Sequence, residues 1–138
     1  MKTLHGHIAD VPSGFHVAAQ HLRPVMHLME ARMGITGLVP GTLNTQITED
    51  YVVLADASIS PQEYGFPETV KLQRAIISGL KAIIMRPDAH ETRPNYGHGK
   101  NHIELMSALH LRTALNLKDG DEIAVEVEGD DNWWNTGR

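Results

Sequence analysis

Hydrophobic and polar positions alternate most strictly near the end of the chain, in Glu122-Ile123-Ala124-Val125-Glu126-Val127-Glu128. A period of two marks a strand with one buried face. Thr3-Leu4-His5-Gly6-His7-Ile8-Ala9-Asp10 alternates more loosely and predicts a strand running into the turn-prone Val11-Pro12-Ser13-Gly14. The period changes over residues 21–33, where Leu22, Val25, Met26 and Met29 recur at helical spacing. Gly34 is placed to end that helix, and Pro24 suits a first turn, so the helix should start near Arg23. Leu38-Val39-Pro40-Gly41 predicts a turn, followed by a short strand over Leu43–Ile47. Residues 69–76 and 80–85 predict the two strands of a hairpin closed at Ser78-Gly79. Residues 86–99, with Pro87, Pro94, Gly97 and Gly99, predict the longest loop, and long loops on small domains are often binding elements. A strand over 101–106, a short helix over 108–115 and a turn at Lys118-Asp119-Gly120-Asp121 complete the series. Strands joined by short turns, with one longer and one short helix, predict a mainly β fold: a small closed barrel.

The chain of 138 residues has the length of one domain, with no internal repeat. At that size roughly two thirds of the unfolded surface is buried, enough for one core without staples. Residues 1–129 are expected to form the barrel domain and 130–138 a polar tail. Trp133 and Trp134 in that tail should cover a sheet edge or a neighbouring subunit, unless the tail is disordered. The chain has no cysteine, which excludes disulfides and thiolate zinc sites and fits a reducing compartment. No apolar run reaches the ~20 residues of a membrane span, and the first seven residues lack the long apolar stretch of a secretory signal. The expected setting is cytoplasmic, without membrane partners. Twelve basic against seventeen acidic residues give a formal charge of −5, and aromatic residues are few. Nucleic acid is therefore not an expected partner, because its phosphates demand a basic field.

Three places carry candidate chemistry. In Gly41-Thr42-Leu43-Asn44, a hydroxyl and an amide carbonyl two residues apart point to the same side of an extended chain. Both are neutral hard oxygen donors, suited to magnesium when phosphates complete its shell, and Gly41 would admit a phosphate close to the backbone. The plainer reading is a turn whose Thr and Asn satisfy local backbone groups. Nine histidines are many, yet Gly97 and Gly99 beside His98 argue against a helical His98–His102 zinc pair. Glu104 lies among Ile103, Leu105 and Met106, and must be exposed, paired or functional; read alone, it is expected to be exposed. Arg112 is either a solvated helix residue or a clamp for phosphate or carbonyl oxygen.

Taken together, Pro40-Gly41-Thr42-Leu43-Asn44, the stretch from His98 through Glu104, and Leu109-His110-Leu111-Arg112 resemble the archaeal CTP-dependent riboflavin kinase family. Leu115-Asn116-Leu117-Lys118-Asp119-Gly120-Asp121-Glu122-Ile123 is similar to that family in order and spacing. The resemblance implies a cradle-loop β-barrel that moves the γ-phosphate of CTP to the ribityl 5′-hydroxyl of riboflavin, giving FMN. It places Thr42 and Asn44 on the magnesium ligands and Glu104 on a flavin-contacting glutamate. Leu109, His110, Leu111 and Arg112 fall on the segment that reads the nucleotide, largely through its backbone. The family's phosphate-cradling glycine loop falls on Ser13-Gly14-Phe15-His16-Val17-Ala18, making Gly14, Phe15 and His16 candidate ligand contacts. Here His16 and Ala18 stand where further glycines are expected. Tyr96 falls on a flavin-contacting threonine, with His98 beside it as a further candidate contact. A second reading is a non-catalytic nucleotide- or flavin-binding module that kept the barrel and lost the phosphate loop. A DNA-binding barrel is a third, against which the acidic balance weighs.

Overall fold

Apolar runs longer than an alternating strand allows, such as Ala75-Ile76-Ile77 and Ala82-Ile83-Ile84-Met85, require burial on both faces of a sheet. The computed structural model provides it, and it describes residues 1–9, 23–40, 42–65, 67–93, 99–130 and 132–136. Gly14, Phe15, His16, Gly41, Tyr96 and His98 lie outside the described residues.

Seven strands are present: β1 (Lys2–Ile8), β2 (Leu43–Ile47), β3 (Ala57–Ile59), β4 (Val70–Ile77), β5 (Leu80–Pro87), β6 (His102–Met106) and β7 (Glu122–Val127). All pairings are antiparallel. Six strands close in the order β1-β2-β6-β5-β4-β7, and β7 returns to β1 with Lys2 opposite Val127 and His7 opposite Glu122. On the edge away from β5, β4 serves two further neighbours: its start pairs with β3, and Ile76 and Ile77 pair with β7. Closure removes most of the open edge that a sheet would otherwise expose.

Every barrel strand contributes to one inner cluster, including Leu4, Ile8, Leu43, Ile47, Ala75, Ile77, Ile84, Leu105 and Val125. The alternate residues of β4, β5 and β6 (Ile76, Ile83, Met85 and Met106) face a second cluster outside the wall. That outer layer is closed by α1 (Met26–Met33), through Met29 and Met33, and by both tryptophans. Pro24 sits in a 3-10 turn over Arg23–Val25 that leads into α1, and Gly34 ends the helix at φ 71°, donating to Glu30 O. The β4–β5 hairpin turns through Ser78 (φ 49°) and Gly79 (φ 79°), the paired positive φ values that suit the twist of a two-residue hairpin.

Several elements differ from expectation. Residues 86–99 are not one loop: Arg86 and Pro87 finish β5, and Ala89–Thr92 form a helical turn, α3. The region before the hairpin holds β3 and the one-turn helix α2 (Pro61–Tyr64), capped by Ser60 and Glu63 in a reciprocal capping box. The helix expected over 108–115 contracts to α4 (Leu111–Ala114), because the His110 backbone is extended and its ring takes the N-cap role. The tail turns back in a 3-10 helix over Trp133–Thr136, and its rings cover a face of this chain's own sheet rather than an edge. Among the described residues, no helix is long and apolar enough to cross a membrane.

Candidate active site

Because Ile103 and Leu105 point into the barrel, strand alternation turns His102, Glu104 and Met106 outward. The same argument applied to β2, with Leu43 and Ile47 inside, turns Asn44 and Gln46 outward. The β2–β6 register sets Asn44 opposite Glu104 and Gln46 opposite His102, while Met85 flanks Glu104 from β5. Asn44 and Glu104, 60 positions apart, and Gln46 and His102, 56 apart, thereby meet on one patch of wall.

Glu104 is 6% exposed, so the exposed carboxylate expected from its sequence position alone is corrected. Met85 from β5 and Asn44 from β2 flank it on either side, so only a small part of the carboxylate reaches solvent. Thr42 Oγ1 donates to Glu104 Oε1 at 3.3 Å. Burial pushes the Glu104 carboxyl up to about 7, and the Thr42 hydroxyl and the Arg86 guanidinium offset only part of that rise. A carboxyl so held exchanges a proton readily near neutrality, the property a general base requires. Asn44 is buried, and its Oδ1 lies 3.0 Å from His102 Nε2.

Arg86 anchors this wall. It continues the inward row of Ala82 and Ile84 and is 1% exposed. Its Nη2 donates to His102 O at 2.8 Å and to Lys100 O at 3.2 Å, and its Nη1 to Tyr51 O and to Glu91 Oε2. Glu91 also pairs with Lys71 and accepts from Val53 N–H at 2.9 Å. A buried guanidinium needs this many acceptors, and satisfying it fixes the segment that enters β6 against the 51–53 loop. Tyr51 extends the network by donating to Glu128 Oε2 at 2.9 Å, and burial raises its hydroxyl above the usual range. Sequence reasoning missed Arg86, Glu91 and Tyr51; an arginine ending an apolar strand run was the available signal.

The other candidates are spread along the wall. Leu109 is exposed, whereas Leu111 is buried in the inner cluster, so only its backbone is open to a ligand. His110 Nδ1 is occupied at the α4 N-terminus by Thr113, at 2.8 Å from its hydroxyl. Arg112 Nη2 pairs with Asp119 Oδ1 at 2.8 Å on a half-exposed surface. His5 and His7 line a shallow groove with Thr48 and Glu122, away from Glu104.

Among the described residues, no group of three or more His, Asp or Glu side chains is arranged to hold a metal. The residues here fit magnesium in a different way. A hydroxyl, an amide carbonyl and one adjacent carboxylate are hard oxygens of low total charge, so they suit a cation that arrives with phosphates.

A family model named for CTP-dependent riboflavin kinases, described as a domain of unknown function (DUF120), matches residues 11–127. A riboflavin kinase of Staphylothermus marinus is 27% identical over 126 residues, covering 89% of this chain and 92% of the relative. One from Thermococcus kodakarensis is 32% identical over 128 residues, covering 87% and 57%. One from Methanocella arvoryzae is 34% identical over 96 residues, covering 64% and 41%. The chain thus spans about half the length of the last two relatives and nearly all of the first.

Proposed function

The chain belongs to the CTP-dependent riboflavin kinase family, and on that premise we propose that it phosphorylates riboflavin to FMN, with CTP as donor and magnesium as the required cation. The observation that carries this reading is the buried Glu104 set opposite Asn44 and bonded by Thr42. Phosphoryl transfer asks the protein for alignment and charge neutralisation more than for covalent chemistry. In this reading the ribityl 5′-hydroxyl oxygen attacks the γ-phosphorus, the bond to the β–γ bridging oxygen breaks, and CDP leaves. Glu104 orients the hydroxyl and accepts its proton. Thr42 Oγ1 and Asn44 Oδ1 hold the cation, which when bound supplies neutralisation of the phosphate charge. The backbone of residues 109–112 reads the nucleotide, consistent with the inward Leu111 side chain. Gly14, Phe15 and His16 approach the phosphates, and Tyr96 and His98 the flavin, by their match to the family. Residues 1–129 act as the barrel domain and 130–138 as a polar C-terminal tail, whose Trp133 and Trp134 pack on the outer cluster.

The test is FMN formation from riboflavin, CTP and magnesium, followed by flavin chromatography. Wild type should produce FMN and lose activity with EDTA, and ATP in place of CTP should serve poorly. FMN formation from no nucleotide donor would remove the assignment and leave the non-catalytic binding module as the surviving reading.

A further inference from the structure

Asn44 and His102 stand diagonally across the β2–β6 ladder, two residues removed from direct opposition and on the same face. At that offset an imidazole can reach the neighbouring strand's side chain. The contact is made, His102 Nε2 to Asn44 Oδ1 at 3.0 Å, with both side chains buried. A carbonyl oxygen only accepts, so the contact requires the proton on Nε2. One lone-pair direction of Oδ1 is then engaged and the other remains for a second partner.

An asparagine amide has two ends of nearly equal shape and opposite character. A half-turn about its last torsion replaces a hard oxygen with an NH2 group that repels a cation. Backbone position alone cannot decide between them. We propose that His102 is a positioning residue that fixes the Asn44 amide, setting which end is oxygen and presenting it beside Thr42 and Glu104 for a divalent cation. This rests on Asn44 being a cation ligand, as in the function proposed above. The support for His102 is itself rigid, since its carbonyl accepts from the buried Arg86 at 2.8 Å. A buried histidine bonded to an amide is an ordinary core feature elsewhere. Here its partner lies directly opposite the one buried carboxylate of the β2–β6 ladder.

Outer partners that orient a metal ligand change metal affinity by about 10–100-fold. The experiment is calorimetric titration of CTP into the protein at a series of Mg2+ concentrations, with no riboflavin and hence no turnover. His102→Leu should raise the Mg2+ needed for half-maximal CTP binding about tenfold or more, leaving Mg2+-free CTP binding unchanged. His102→Gln, which keeps a side-chain N–H, should recover most of the loss. If His102→Leu does not fold, His102→Met against His102→Gln makes the same comparison. A folded Leu or Met variant with wild-type Mg2+ dependence overturns the proposal. So does equal impairment in the Gln and apolar variants, which would mean a packing role. Asn44→Ala separates the premises: unchanged Mg2+ dependence there removes Asn44 as a ligand and takes the cation site with it. If wild type binds no CTP at all, the kinase reading fails. Titration of Mn2+ alone into the same variants, read by water-proton relaxation, then decides whether His102 supports a cation site; equal Mn2+ affinity throughout overturns it.

Discussion

Glu91 carries opposing demands within one side chain. Burial pushes its carboxyl up, but Lys71, the Val53 N–H and Arg86 together hold it below the ordinary carboxylate range. A group with a depressed folded pKa contributes stability that is present above its unfolded pKa, and loses it as pH falls through the folded value. Glu91→Gln should therefore lower stability at pH 7 by about 3 kcal/mol, the scale of leaving one partner of a buried pair uncompensated. It should also flatten the loss of stability on acidification below pH 5. Urea denaturation from pH 3 to 7 checks both, and parallel acid limbs in the two proteins would remove Glu91 from the network's energetics. Glu104 is the opposite case, a carboxyl raised by burial with few compensating donors, as expected where chemistry rather than stability sets the residue. Glu104→Gln preserves size and most hydrogen bonding. It should retain riboflavin affinity while FMN formation falls about a hundredfold or more, the usual loss of a positioned base. Equal turnover in both proteins would exclude Glu104 from proton transfer.

At the scale of elements, the sequence was most readable where local chemistry and tertiary burial agreed. The strict alternation of β7, the Ser78-Gly79 turn and Gly34 after α1 each have one structural solution. β3 and α2 escaped because three- and four-residue elements carry too few periods to count, though Ser60-Pro61-Gln62-Glu63 spelled out a capping box. The Glu104 environment was not legible either, since its burial depends on β2 and β5 lying on both sides of β6. The tail is polar apart from Trp133 and Trp134, and these two rings close the outer cluster. A Cβ on Gly129 would lie 2.0 Å from Trp133 Cγ, so the chain turns against that ring with no room for a side chain. Trp134 is 5% exposed, with the Arg74 guanidinium 5.8 Å and Lys81 Nζ 5.6 Å from its ring centre. Trp134→Ala should destabilise the protein by about 3 kcal/mol, the lower range for removing a buried tryptophan. Activity per folded molecule should be unchanged, because the ring's partners, Arg74, Lys81 and Trp133, are not among the candidate site residues. A drop in activity without a drop in melting temperature would contradict that separation.

For the whole molecule, the barrel was legible from spacing and turn chemistry, whereas the site's charge balance was not, because it joins segments distant in sequence. In the proposed function the loop at Ser13–Ala18 is the phosphate cradle. If it approaches phosphate, His16→Gly with Ala18→Gly should tighten CTP binding severalfold, measured by calorimetry; unchanged affinity would place the phosphates elsewhere. Barrel closure has a further consequence, in the order of events by which the chain reaches this state. The β4–β5 hairpin joins neighbours through a two-residue turn, but β1 finds its partner in β7, with Lys2 opposite Val127. Joining ends so far apart costs loop-closure entropy that only late contacts repay. On a ribosome, β1 must wait for β7 to emerge before most of its ladder can form. During that interval its Leu4 and Ile8 face lacks the β7 cover it has in the finished barrel, and the hairpin is the element best placed to be folded already.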